Sequence, residues 1–418
     1  MSSQAPAESP SRERHATSIT RYYIDTRPLV PPPSTPKSEI THPLLSTLQY
    51  ADEEAITRFI RPADRFMSLA SALLKYTFIH RRAKVAWSQI RISRTPHPHR
   101  RPYWEPPTIW TSPDPDSKGL EFNVSHQAGL VALIGSTTPT VQEPNPSTSI
   151  SEITPISPTP LDHFEHHGLK HHHTPILPAG QVRLGVDIAC TNEDKRTPTS
   201  KTQAEFEEWV DIFAEMFSDR ERQDMRAAPI HVPVVEREYG EPFTDSDDSS
   251  VDERGAEARQ IEQKLRRFYA YWALKEAYIK MVGEGLLADW LRELEFLHVV
   301  APPMPKEAKV KRGPSTTGAV PNAQAHNHAH LHPDGYQHES EKWTPPDKAE
   351  RGLTTLFRGN KVEDVDIELV AYDEDFILAT ATRGVQELEI EPQTRRWLRL
   401  DIERDIRPCA EGTCACLD

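Results

Sequence analysis

The sequence predicts an α+β protein built as two similar α+β halves in one chain, with disordered insertions. Three observations carry that expectation. Helix-period and strand-period segments alternate twice, the strand-like runs are short, and the blocks between them are rich in Pro, Ser, Thr or His. With 38 prolines in 418 residues and a hydrophobic content of 37%, part of the chain is expected to lie outside any core.

In chain order, residues 1–18 form a Pro/Ser-rich tail with no apolar h-region, so no secretory signal is expected. The first half covers 19–136. There "PADRFMSLASALLKYTFIHRRAKV", from Pro62, places Phe66, Leu69, Leu73 and Leu74 at helical spacing behind a proline suited to a first turn. "FNVSHQAGLVALIG" reads as a strand, a turn and a second strand. A Pro/Ser/His-rich insertion, 137–181, follows, and the histidines of its "HFEHHGLKHHHTP" lack a scaffold to fix a metal geometry.

The second half, 182–400, opens on "QVRLGVDIA", where Val182, Leu184, Val186 and Ile188 alternate with Arg183, Gly185, Asp187 and Ala189. Asp187 therefore points off the apolar face. From Gln260 to Met281 a long helix carries Ile261, Leu265, Phe268 and Trp272 on one stripe, and Glu276 follows Trp272 by four. Late strands are expected at "DIELVAYD" and "DFILATATR". Low-complexity insertions at 236–258 and 301–346 interrupt this half, and 401–418 is expected to be a frayed tail. Four cysteines give no disulfide framework, and "CAEGTCAC" lacks the C-x-x-C spacing of a familiar metal site.

The net charge of −14 is unevenly spread. Nine acids and two bases between Glu236 and Ala258 supply −7 of it, placed in a loop, whereas eleven bases between Arg58 and Trp104 face Asp64 alone. A basic face on the folded part is expected despite the acidic total. Such a stretch also suits nucleic acid, but few aromatic platforms accompany it. No apolar run approaches the ~18 residues of a spanning helix, so a soluble cytoplasmic protein without nucleic-acid or membrane partners is expected.

Asp187 and Glu276 are the pair to which Mg²⁺ chemistry would fall, because that ion takes a few carboxylates together with water and phosphate oxygens. On spacing alone the structural reading is favoured for both. Glu276 with Lys280 four residues on is an ordinary helix ion pair worth ~0.2–0.5 kcal/mol, and an Asp after Gly-x is commonly a turn or cap residue. What changes the balance is order: "RISRTPHPHRRPYW", "FNVSHQ", "LGVDIA", "FSDRE" and "WALKEAYIK" together resemble the Sfp-like 4'-phosphopantetheinyl transferase family of fungal and eukaryotic type, from about Thr20 to Arg383.

That resemblance implies a pseudo-twofold pair of halves with coenzyme A between them. It also implies Mg²⁺-dependent transfer, with Mn²⁺ as a substitute, of the phosphopantetheine arm onto a serine of an acyl or peptidyl carrier domain. By matching motifs, Asp187 and Glu276 would hold the metal, Glu276 would take the serine proton, and Lys280 would neutralise charge on the bridging or leaving oxygen. Arg94 and Arg101, helped by Arg58 or Arg61, would meet the nucleotide phosphates together with Ser125 and His126, while Asn123 orders the strand end. Glu221 matches a position expected to be mainly structural. Two departures stand out. Ala189 occupies a place where bacterial members often carry a second acid, and Arg100-Arg101-Pro102 replaces the usual Gly-Lys-Pro. A monomer serving apo carrier domains of synthases or of aminoadipate reductase is expected; the alternative is a non-catalytic member that binds coenzyme A or carriers.

Overall fold

The computed structural model describes residues 19–96, 100–113, 117–139, 182–192, 202–227, 249–284, 288–302, 349–373, 375–385 and 396–418. The first tail, the histidine-rich run and most of both insertions in the second half fall outside these residues.

Strand β1 (Thr20–Asp25) leads through helix α1 (Tyr50–Thr57) to helix α2 (Pro62–Ala83), which starts on Pro62 and stops where Lys84 turns left-handed. The predicted stripe of Phe66, Leu69, Leu73 and Leu74 is buried. Short strands β2 (Ile92–Arg94) and β3 (Pro102–Trp104) pair with each other. Strands β4 (Ser117–Gln127) and β5 (Leu130–Pro139) follow as a hairpin whose two-residue turn, Ala128-Gly129, has positive φ at both positions.

The second half begins with β6 (Arg183–Cys190), then α3 (Gln203–Asp211), α4 (Asp219–Arg226) and the long α5 (Ser249–Val282). Strands β7 (Leu294–Leu297), β8 (Thr354–Phe357) and β9 (Asn360–Lys361) form one small sheet. Strands β10 (Val365–Tyr372) and β11 (Phe376–Arg383) pair with β6 in the order β10-β11-β6, and β12 (Leu398–Arg399) crosses back to lie parallel to β1 in the sheet β12-β1-β5-β4. The protein is thus α+β, with α2 packed on β4 and β5 and α5 packed on β6 and β11.

The alternation in β6 feeds two cores. Val182, Leu184, Val186 and Ile188 join Tyr23, Ile134 and Leu378 between the sheets, while Ala189 joins the core around α5. Gly185 makes the second contact possible: a Cβ there would collide with the Ala277 carbonyl and lie 2.6 Å from the Met281 nitrogen. Helix α5 can therefore lie directly against the strand that carries Asp187.

Two expectations are corrected. Part of the acidic stretch assigned to a loop is helix, because α5 begins at Ser249 and not near Gln260. With few apolar residues between 249 and 259, no helical period could show there in the sequence. The tail is not frayed either. Leu400, Ile402, Ile406 and Cys409 are buried in the core beneath α2, so its sparse apolar residues act on a core built elsewhere.

Candidate active site

Strand β4 presents Asn123, Ser125 and Gln127 on one face, two residues apart, toward β6. The Asn123 Oδ1 accepts from the Val186 N–H (3.0 Å), the Ser125 Oγ from the Ile188 N–H (3.3 Å) and the Gln127 Oε1 from the Cys190 N–H (3.1 Å). Three side chains thus substitute for a backbone ladder and join the two sheets. Burial demands this, since an N–H facing another strand without an acceptor costs about 1–3 kcal/mol.

The middle rung carries charge. Ser125 Oγ donates to Asp187 Oδ1 (3.0 Å), and the Lys280 ammonium donates to both, at 2.6 Å to the carboxylate and 3.0 Å to the hydroxyl. Asp187 is 5% exposed and its second oxygen, Oδ2, is buried with no partner among the described residues. Burial pushes its carboxyl above the usual range against the pull of Lys280 and Ser125. Glu276, one turn before Lys280 on α5, is pushed up to about 7, first by burial and then by the Asp187 charge, with Lys280 opposing. A strand aspartate and a helix glutamate are therefore close enough to repel, and an orphaned carboxylate oxygen lies beside them. This is what a divalent cation with open positions would relieve. Ala189, where a second acid was conceivable, is packed into the α5 core.

Beside this centre lies a cavity of about 470 Å³ lined by Asp52, Arg58, Lys75, Arg94, His126 and small residues of α2. Arg94 and His126 both line it, and of Arg58 and Arg61 it is Arg58 that does. The His126 ring is open to solvent at its edge, yet its crowded recess and the Lys280 and Lys75 ammoniums lower its pKa. Lys75 and Asp52 were missed. Lys75 is 6% exposed, its pKa lowered by burial while Asp52 opposes. A signal existed: Ser68, Ser71, Ala72 and Lys75 share one face of α2, small residues leading to a cation.

Arg101 is turned elsewhere. Its guanidinium pairs with Glu121 of β4 and donates to the carbonyls of Leu184 (3.1 Å) and Met281 (3.2 Å), tying β3, β4, β6 and α5 together. Lys275 is likewise committed. It forms an ion pair with Glu221 (2.9 Å) in which both side chains are 0% exposed, and it donates to the carbonyls of Leu291 (2.9 Å) and Leu294. Glu221 also closes the Ser218 capping box and accepts from the Phe296 N–H at 2.9 Å. The "FSDRE" and "LKE" motifs meet here as a buried, fully bonded brace.

At the seam of this α+β scaffold two carboxylates and a lysine meet beside a cation-lined cavity, an arrangement suited to phosphate chemistry. Residues 35–138 match the 4'-phosphopantetheinyl transferase N-terminal family and residues 183–315 match the 4'-phosphopantetheinyl transferase superfamily. Over 420 residues the chain is 40% identical to 4'-phosphopantetheinyl transferase A of Aspergillus fumigatus, covering 96% of each chain. It is 36% identical to 4'-phosphopantetheinyl transferase NpgA of Emericella nidulans over 96% of each, and 31% identical to a 4'-phosphopantetheinyl transferase of Aureobasidium melanogenum over 93% of this chain and 96% of the relative. The chain belongs to the 4'-phosphopantetheinyl transferase family.

Proposed function

We propose that this enzyme moves the phosphopantetheine arm of coenzyme A onto a serine of an apo carrier domain, using Asp187, Glu276 and Lys280. The observation that carries this is the buried Asp187 on β6, bonded through Oδ1 to Lys280 of α5 and to Ser125 while its Oδ2 has no partner among the described residues. Asp187 and Glu276 would hold Mg²⁺, with Mn²⁺ as a substitute; when bound, the ion supplies positive charge against the diphosphate oxygens and orients them.

The chain's own groups account for the rest. The carrier serine Oγ attacks the phosphorus that bears the pantetheine, the bond from that phosphorus to the bridging oxygen breaks, and adenosine 3',5'-bisphosphate leaves. Glu276 accepts the serine proton. In the metal-free protein burial near Asp187 raises its pKa to about 7, and the charge of a bound ion would lower it, leaving the carboxylate ionised to accept that proton. Lys280, held over Asp187 and Ser125, offers its ammonium to charge growing on the leaving oxygen. Arg58, Arg94 and Lys75 place three cations around the cavity for the nucleotide phosphates, with His126 as a further hydrogen-bonding group. Arg101 acts by holding the seam, and Asn123 by holding β6 in register.

The packing of one long helix on a pair of antiparallel strands in each half supports a pseudo-twofold relation between them. The basic first half would steer acidic carrier surfaces, with the enzyme working as a cytoplasmic monomer. Purified protein given coenzyme A, Mg²⁺ and a panel of apo carriers should add the mass of the arm to at least one of them. Tight coenzyme A binding with no mass gain on any carrier would instead favour a non-catalytic binder.

A further inference from the structure

The end of the chain builds a second, chemically different cluster. After β12 the backbone makes a wide turn over 402–406 and a short helix over Arg407–Ala410. Gly412 then reverses it at positive φ. The amides of Thr413 and Cys414 both donate to the Pro408 carbonyl, at 2.8 and 3.1 Å, which curls the last residues back over Cys409. Cys409, Cys414 and Cys416 thereby converge on His80, near the end of α2, and the four ligand atoms all lie within 4.8 Å of one another. The chain contains one cysteine besides these three, and the tail cysteines are more than 320 residues from His80 in sequence.

The geometry is that of a closed thiolate site rather than a disulfide. Cys409 and Cys416 Sγ atoms are 3.7 Å apart, far beyond the ~2.05 Å of an S–S bond. That distance matches the edge, about 3.8 Å, of a tetrahedron with Zn–S bonds of ~2.3 Å. His80 Nε2 is 3.1 Å from Cys414 Sγ, and His80 Nδ1 is 2.8 Å from the Val85 carbonyl. A carbonyl only accepts, so Nδ1 carries the proton and Nε2 turns its lone pair to the sulfurs, the arrangement that backs most metal-bound histidines. His80 and Cys409 are each 1% exposed. Three thiolates around a divalent ion leave one negative charge. Two cations flank it: Arg81 lies beside the Cys409 thiol and donates to the Asp405 carbonyl, and Lys84 donates to the Cys416 carbonyl. The three-sulfur, one-nitrogen donor set selects zinc over the hard cations that suit Asp187 and Glu276.

The geometry points to a structural Zn²⁺ site formed by His80, Cys409, Cys414 and Cys416, which pins the returning C-terminal segment to helix α2. None of the four lines the transferase centre, and the helix so pinned also carries Ser68, Ser71 and Lys75 of the cation cavity. The metal therefore fixes the wall of the cavity without entering the chemistry.

Metal analysis of the full-length protein tests this, with one precaution. The run from His163 to His173 contains six histidines that can scavenge zinc, so a variant lacking 163–173 is measured alongside. About one zinc per chain is expected, retained by that deletion and by dialysis against a weak chelator, and lost in Cys414→Ser and Cys416→Ser. Cobalt substituted into the deletion variant should show a thiolate charge-transfer band and the strong visible bands of a tetrahedral ion. Stripping the zinc with a strong chelator should lower the Tm by about 5 °C or more. Three outcomes would overturn the site: zinc that follows the histidine run and survives both cysteine changes, metal-free protein whose three tail thiols react freely, or a Cys409–Cys416 disulfide in native protein.

Discussion

Lys275 and Glu276 are neighbours in sequence with opposite roles. Lys275 points into the core to the Glu221 brace, so Lys275→Ala strands a buried carboxylate and should destabilise by about 3–5 kcal/mol in urea unfolding. Lys280 is partly exposed at the seam. Lys280→Ala leaves buried Asp187 with Ser125 as its remaining side-chain donor and should cost about 1–3 kcal/mol of stability while lowering kcat by about 10²-fold or more. Glu276 gives a pH signature. Its folded pKa, about 7, lies above the ordinary 4.5, so between those values the folded state keeps a proton that the unfolded chain releases. The stabilisation is complete below pH 4.5 and is lost as pH rises through 7; it amounts to roughly 3 kcal/mol. Without divalent ions, the Tm should fall as pH rises across that window, Mg²⁺ should restore it, and Glu276→Gln should flatten the slope while abolishing transfer. An unchanged slope in Glu276→Gln would remove Glu276 from the charged pair.

At the scale of elements, the site depends on how closely α5 lies on β6 and how β4 is tied to it. Gly185→Ala drives a methyl into the backbone of α5 and should cost about 1–3 kcal/mol. Because it separates Asp187 from Glu276, it should also raise the Mg²⁺ concentration needed for half-maximal activity. Gln127→Leu orphans the Cys190 N–H but touches neither Asp187 nor the cavity. It should cost about 1–3 kcal/mol of stability and leave the Mg²⁺ requirement unchanged. The alternation of "QVRLGVDIA" was legible because a strand has a period of two. The Asn123–Ser125–Gln127 ladder has the same period, yet its partners lie 63 residues ahead, and no local pattern names them.

At the scale of the whole molecule, the chain closes on itself: Leu398 and Arg399 pair with β1, and Leu400, Ile402, Ile406 and Cys409 complete the core under α2. Removing 396–418 uncovers that core. The truncated protein should be insoluble or melt without a cooperative transition. The sequence by itself determined the α+β class, the two long helices, the hairpin, β6, the late strands, and the motif order that marks the transferase family. Each of these is written in local periodicity or in a contiguous motif. Only the tertiary structure decided that Arg101 serves the seam, that Lys75 and Asp52 join the cation cavity, and that the cysteines of the tail meet His80. Those facts rest on contacts between residues distant in the chain, whose side-chain directions are set by packing that no window of sequence contains.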